Sequence, residues 1–227
     1  MTIRSISFFA ILISGLLYVQ TVMAANSAVV FMYHRFGEDK HPTTSIRLEQ
    51  FRQQLEYLRE DGFNVIPLPD LMAFLTRKQS LPEKAVVITM DDAYRSIYQV
   101  AYPLLKEYGY PFTVFVSSDP VDRGLPDYLS WEQIREMAKT GVKFANHGAE
   151  HTYLVRRLND ESESDWLQRA GADIDKGWQR LTEELPGDNK PLGGVFAYPY
   201  GEYDTKIADL LKQRSYLAFG QHSGAIG

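Results

Sequence analysis

The sequence predicts an α/β fold: a mostly parallel sheet curved into a distorted (β/α) barrel of about seven strands. Three observations carry that expectation. Short apolar, β-branched runs alternate with segments of helical period along the chain. A length of 227 residues with 44% hydrophobic content supplies one sizeable core and little more. Polar residues suited to chemistry (His34, Asp91, Asp92, His147, Tyr200 and His222) fall at or just past the C-terminal ends of five different strands, the adjacent aspartates sharing one. An open parallel sheet gathers its site at one switch point, whereas the strands of a barrel all end at one mouth, so the spread favours the barrel.

The first residues stand apart from this pattern. Arg4 precedes an apolar stretch at 6–19, and Val22, Met23 and Ala24 close it with a small-residue exit. That is the layout of a secretory signal peptide over residues 1–24, leaving a domain at 25–227 that is periplasmic or secreted. The alternative is a membrane anchor, but the apolar segment is shorter than the roughly 20 residues a spanning helix needs.

The predicted strands are AVVFMYH (28–34), NVIPL (64–68), AVVITM (85–90), FTVFVSS (112–118), VKFANH (142–147), GVFAYP (194–199) and YLAFGQ (216–221). Between them, Leu48, Phe51, Leu55 and Leu58 share one face of a first helix. Ser130 and Gln133 have the spacing of a capping box that opens another. One or two helices fill 160–185, and a last one fills 203–214. The chain has no cysteine, which excludes disulfides and thiolate chemistry, so any metal must be held by His, Asp or Glu. Without residues 1–24 it has 23 basic against 29 acidic side chains, with no basic patch for nucleic acid.

VVITMDDAYRS (86–96) ends a buried strand in two adjacent carboxylates. Like charges side by side oppose joint ionisation unless a cation compensates them, and a divalent metal is the natural compensator. Strand side chains alternate between faces, so one aspartate can bind metal while the other stays free as a base. The competing reading makes Asp92 the N-cap of a following helix. In NHGAEHTYL (146–154), His147 and His151 lie four apart beyond a strand. They are either solvated loop residues or two ligands of one ion, and two His with one carboxylate make the ligand set of a hydrolytic zinc site. His34 is a mouth-lining residue or a buried, hydrogen-bonded histidine. Tyr198 and Trp131 are either sugar-stacking rings or core aromatics.

TMDDAYRS, HGAEH and FAYPYGEYD together resemble the motifs of the polysaccharide deacetylases of carbohydrate esterase family 4, the NodB-homology domain. The resemblance runs from VVFMYHRF to YLAFGQHSG, nearly the whole chain after the leader. It implies a NodB-like barrel and hydrolysis of N-acetyl groups on the amino sugars of a glycan. It further implies a divalent metal, normally Zn²⁺ with Co²⁺, Ni²⁺ or Mn²⁺ also compatible, held by Asp92, His147 and His151. Asp91 becomes the general base, the Tyr200 backbone N–H an oxyanion donor, and His222 the general acid.

Departures from the family pattern are as specific as the matches. Ala93 replaces the usual Gly, Gly148 the usual Ser or Thr, and Ala197 the Arg that orients the base, for which His34 and Arg95 are the nearest substitutes in sequence. Leu217 and His222 match the family's last motif loosely, and the chain ends at Gly227, sooner after its last strand than such domains usually do, which reads as C-terminal truncation. Two other functions remain open on sequence grounds: an amidohydrolase acting on a small non-sugar amide, and a carbohydrate-binding protein without catalysis.

Overall fold

The computed structural model describes residues 24–77 and 79–227, so the signal-peptide expectation falls almost wholly outside it. Seven strands form one sheet: β1 (Ala28–Tyr33), β2 (Asn64–Val65), β3 (Ala85–Met90), β4 (Thr113–Val116), β5 (Lys143–Asn146), β6 (Val195–Ala197) and β7 (Leu217–Phe219). All pair in parallel, in the order β7-β6-β5-β4-β3-β1, with β2 against the first two residues of β3. The predicted second strand is thus shorter than 64–68, because Leu68 already opens a helix.

Seven helices make the crossovers: α1 (Leu48–Glu60), α2 (Leu68–Arg77), α3 (Tyr102–Tyr108), α4 (Ser118–Asp122), α5 (Trp131–Lys139), α6 (Glu163–Glu184) and α7 (Thr205–Gln213). On α1, Phe51, Leu55 and Leu58 are fully buried, but Leu48 at the first position stays exposed, contrary to the expected face. The capping box forms as expected, with Ser130 Oγ accepting from the Gln133 N–H and the Gln133 side chain accepting from the Ser130 N–H. The 160–185 stretch is a single helix capped by the Ser162 side chain.

Strand alternation sorts the core into two faces. Val86, Ile88 and Met90 of β3, Val114 and Val116 of β4 and Phe144 of β5 point outward, onto buried residues of α1, α3, α5 and α6. Ala85 and Val87, Phe115, Ala145, Val195 and Ala197 point inward and pack with Leu68 and Leu71 of α2. Three of these six inward residues are alanines, and Phe115 is the bulkiest of the set. Continuing the alternation past each strand end puts Asp91, His147 and Ala197 on the lumenal side.

The curve does not close. Strands β1 and β7 are the ends of the sheet order, and the segment after β7 reaches back to β1 only where Ala28 and Ile226 exchange backbone hydrogen bonds of 2.9 and 2.8 Å. Above that bridge a cavity of about 570 Å³ opens between β1 and residues 219–224, with Thr89, Asp91, Phe115 and Ala197 in its wall.

Candidate active site

Strand β3 ends in a sharp turn. Asp92 and Ala93 adopt consecutive left-handed conformations, φ 70° and 61°, which L-residues adopt at a cost of roughly 1–2 kcal/mol each. The turn throws the Asp92 side chain out of the strand's alternation and across to the end of β5. There Asp92 Oδ1 lies 3.3 Å from His147 Nε2 and 2.8 Å from His151 Nε2. His151 also has a positive φ, 57°, which brings its ring back over the mouth. Asp92 is therefore not the N-cap of a following helix, since the turn at 92–93 and Tyr94 separate it from the helical residues that begin at Arg95.

These three residues offer two imidazole nitrogens and one carboxylate oxygen within 4.8 Å of one another. The His147 Nδ1 lies 2.8 Å from the Ala197 carbonyl, which can only accept, so Nδ1 carries the proton and Nε2 is left with its lone pair toward Asp92. Asp92 Oδ1 is buried, and despite its short distances no hydrogen bond of good geometry reaches it. A cation between the three donors satisfies that oxygen. The electrostatics fit the same group. Burial alone would raise the Asp92 carboxyl, but the two imidazoles beside it hold it well below the usual carboxylate range. Burial alone would lower His147, but Asp92 and Asp91 overcome this and raise it. Two buried carboxylates beside the His147 ring make a demand for positive charge that a divalent ion meets.

Asp91 is in a different situation. It is 3% exposed, its Oδ1 has no hydrogen-bond partner, and burial pushes its carboxyl up against the opposing pull of His147, His34 and His151. Ala197, where the resemblance leads one to expect an arginine, faces the same cavity, so the space beside Asp91 stays open. Of the two substitutes considered for that arginine, His34 lies in the wall of the adjoining cleft with Asp92.

A cleft of about 790 Å³ lies over the Asp92–His151 side, and His34, Tyr94, Tyr128 and Tyr200 are in its wall. The Arg35 guanidinium lies 3.4 Å from the Tyr94 ring centroid, and Tyr94 packs on Tyr128. Tyr200, itself at φ 60°, sets its ring edge-on to His151 at 4.5 Å and stacks flat on Tyr153 at 3.7 Å. Three expected residues lie elsewhere. Tyr198 is buried on the outer face against Phe196 and Tyr203. Trp131, at the start of α5, donates from Nε1 to Asp122 and lines neither the cleft nor the lumenal cavity. His222 is exposed, edge-on to Tyr203, and lines the lumenal cavity with Asp91 instead of the cleft over Asp92. Tyr94, Tyr128 and Arg35 were not singled out from the sequence. Their only signal is their position just after predicted strand ends or in loops.

The polysaccharide deacetylase family model matches residues 78–219, and the chain belongs to that family. Among its relatives is the poly-β-1,6-N-acetyl-D-glucosamine N-deacetylase of Staphylococcus aureus, 28% identical over an aligned length of 194 residues, with 78% of this chain and 65% of the relative covered. The chain spans 61–65% of the length of the first curated relatives it matches. Among solved structures, IcaB from Ammonifex degensii superposes with a TM-score of 0.75 at 29% identity, covering 87% of this chain and 84% of that one. A de-N-acetylase from Aggregatibacter actinomycetemcomitans shares the fold, with a TM-score of 0.74 at 23% identity and coverage of 84% and 86%.

Proposed function

We propose that this chain is a metal-dependent N-deacetylase that removes acetyl groups from a polymer of N-acetylglucosamine outside the cytoplasm. The observation that carries this reading is the meeting of Asp92, His147 and His151 at the sheet's mouth, next to a buried Asp91 whose Oδ1 has no partner. Bound by those three residues, a divalent cation such as zinc supplies Lewis acidity to a carbonyl and to a water.

This chain's own residues do the rest. Asp91 takes a proton from the attacking water at Oδ1, and its raised proton affinity suits a general base. The Tyr200 backbone N–H, on the tight 199–201 turn beside His151, is the donor for the developing oxyanion. His222 delivers a proton to the leaving amine from the open side of the lumen, so the products are acetate and a free amino sugar. The rings of Tyr94, Tyr128 and Tyr200 offer apolar faces to the pyranose units. The S. aureus relative's substrate points to a β-1,6-linked polymer. The leader-like segment at 1–24 agrees with export.

The test is acetate release from β-1,6-linked N-acetylglucosamine oligomers by the purified chain, with zinc added and with chelator as control. Zinc-dependent acetate is expected. Hydrolysis of a small aryl acetamide with none from the oligomers would move the chain to the amidohydrolases. Oligomer binding without acetate would make it a binding protein.

A further inference from the structure

The two proposed ligand histidines are joined by a three-residue loop, Gly148, Ala149 and Glu150, whose backbone is held from outside the barrel by the long helix α6. Asp173, in the middle of α6, accepts the N–H of Glu150 at 2.8 Å through Oδ1 and that of Ala149 at 3.2 Å through Oδ2. One residue along, the Ile174 carbonyl accepts from Asn146 Nδ2 at 2.9 Å, and Asn146 Oδ1 in turn accepts the Gly148 N–H at 3.0 Å. One turn further, Gly177 lets the helix touch the loop: a Cβ there would lie 2.6 Å from Asn146 Oδ1 and from the Gly148 carbonyl.

Three features show that this contact is built for the loop. Asp173 is largely buried and forms no ion pair among the described residues, and burial pushes its carboxyl up against the pull of the two amides. A half-buried carboxylate on a helix interior is costly unless its hydrogen bonds offset the desolvation. The loop takes left-handed backbone at both ends, freely at Gly148 (φ 79°) but with strain at His151 (φ 57°), so something outside it must hold that end. Finally, a Cβ on residue 148 would stand 2.4 Å from Asp173 Oδ2, so a side chain and this carboxylate exclude each other. The glycine at 148, where the resemblance leads one to expect Ser or Thr, thereby has a physical cause.

We propose that Asp173 is a positioning residue for the metal centre: by gripping the Ala149 and Glu150 amides it fixes His151 against Asp92 and raises the site's affinity for a divalent cation. This rests on the metal reading given under Proposed function. Residues that orient ligands in this way are typically worth about 10–100-fold in metal affinity.

The experiment is competition for zinc between the full chain and a chromogenic chelator. Asp173→Asn keeps the shape but turns an NH₂ toward one of the two amides, and Asp173→Ala removes both acceptors. Both variants are expected to bind zinc about 10-fold to 100-fold more weakly than wild type. The rise in melting temperature on adding zinc is expected to shrink in step, a change that a purely structural loss would not produce. Gly148→Ala supplies a second route, because its Cβ displaces the carboxylate. It is expected to weaken zinc binding in the Asp173 background and to do so much less beside Asp173→Ala, since backbone strain at 148 is common to both. Unchanged zinc affinity in the Asp173 variants, or an equal Gly148→Ala penalty in both backgrounds, would overturn the proposal while leaving the metal reading intact. A wild-type chain that binds no zinc would overturn both.

Discussion

The cleft over Asp92 and the lumenal cavity share Met32, Tyr33 and Gln221 as a common wall, yet they hold two adjacent aspartates in opposite electrostatic states. On the cleft side, Asp92 sits against two imidazoles and is held strongly acidic. On the lumenal side, Asp91 keeps the strand's alternation, faces the space beside Ala197 and is pushed toward the protonated form. One peptide bond separates them. The difference comes from a left-handed turn that breaks the alternation at residue 92, which on the proposed reading lets one strand end supply both a ligand and a base.

The comparison can be broken first on the cleft side. Asp92→Asn keeps the shape of the side chain and removes its charge. Bound zinc, measured by elemental analysis, is expected to fall from one per chain to near none, and acetate release by more than about 100-fold, beyond what outer-shell changes cost. On the lumenal side, His222→Ala is expected to lower acetate release by about 100-fold, the low end for a proton donor, because the ring is exposed. Its zinc content should not change. Ala197→Leu fills part of the lumenal cavity. About a tenfold fall in acetate release, near 1.4 kcal/mol, is expected at unchanged zinc affinity, and an unchanged rate would show that the lumen plays no part.

How much of this was legible in the sequence follows from the range of the contacts. Asp91, Asp92, His147 and His151 could be read because each pair lies within one short motif, and the strand ends that carry them are strongly apolar. The alternation also held information against Tyr198: with Val195 and Ala197 facing the lumen, residues 196 and 198 must face outward. Trp131 was misplaced because a helix start with a capping box belongs to the outer layer, away from the strand ends. Asp173 was invisible, since an acid in the middle of an amphipathic helix looks like a solvated one, and its partners lie 23 and 24 residues away. Seven strands instead of eight point to an incomplete or distorted barrel, but strand count does not place its open seam between β1 and β7.

The smallest expected effect concerns the segment that leads from the metal loop into α6. Arg169 grips Glu161 through two hydrogen bonds of 2.8 Å and holds its carboxyl down to about 2. A lowered folded-state value means that this contribution to stability is full above the ordinary value of 4.5 and is lost as the pH falls toward about 2. Glu161→Gln should therefore lower the melting temperature slightly at neutral pH, and the gap from wild type should close near pH 2, as read by thermal denaturation. The pair is solvent-facing, so the shift is small.

The central claim is that the two aspartates have separate jobs, and Asp91→Asn tests it most directly when bound zinc and acetate release are measured on the same sample. The account predicts one zinc per chain, as in wild type, with acetate release from β-1,6-linked N-acetylglucosamine oligomers reduced by about 10²–10⁴-fold. Acetate released at the wild-type rate, or zinc lost together with activity, would contradict it.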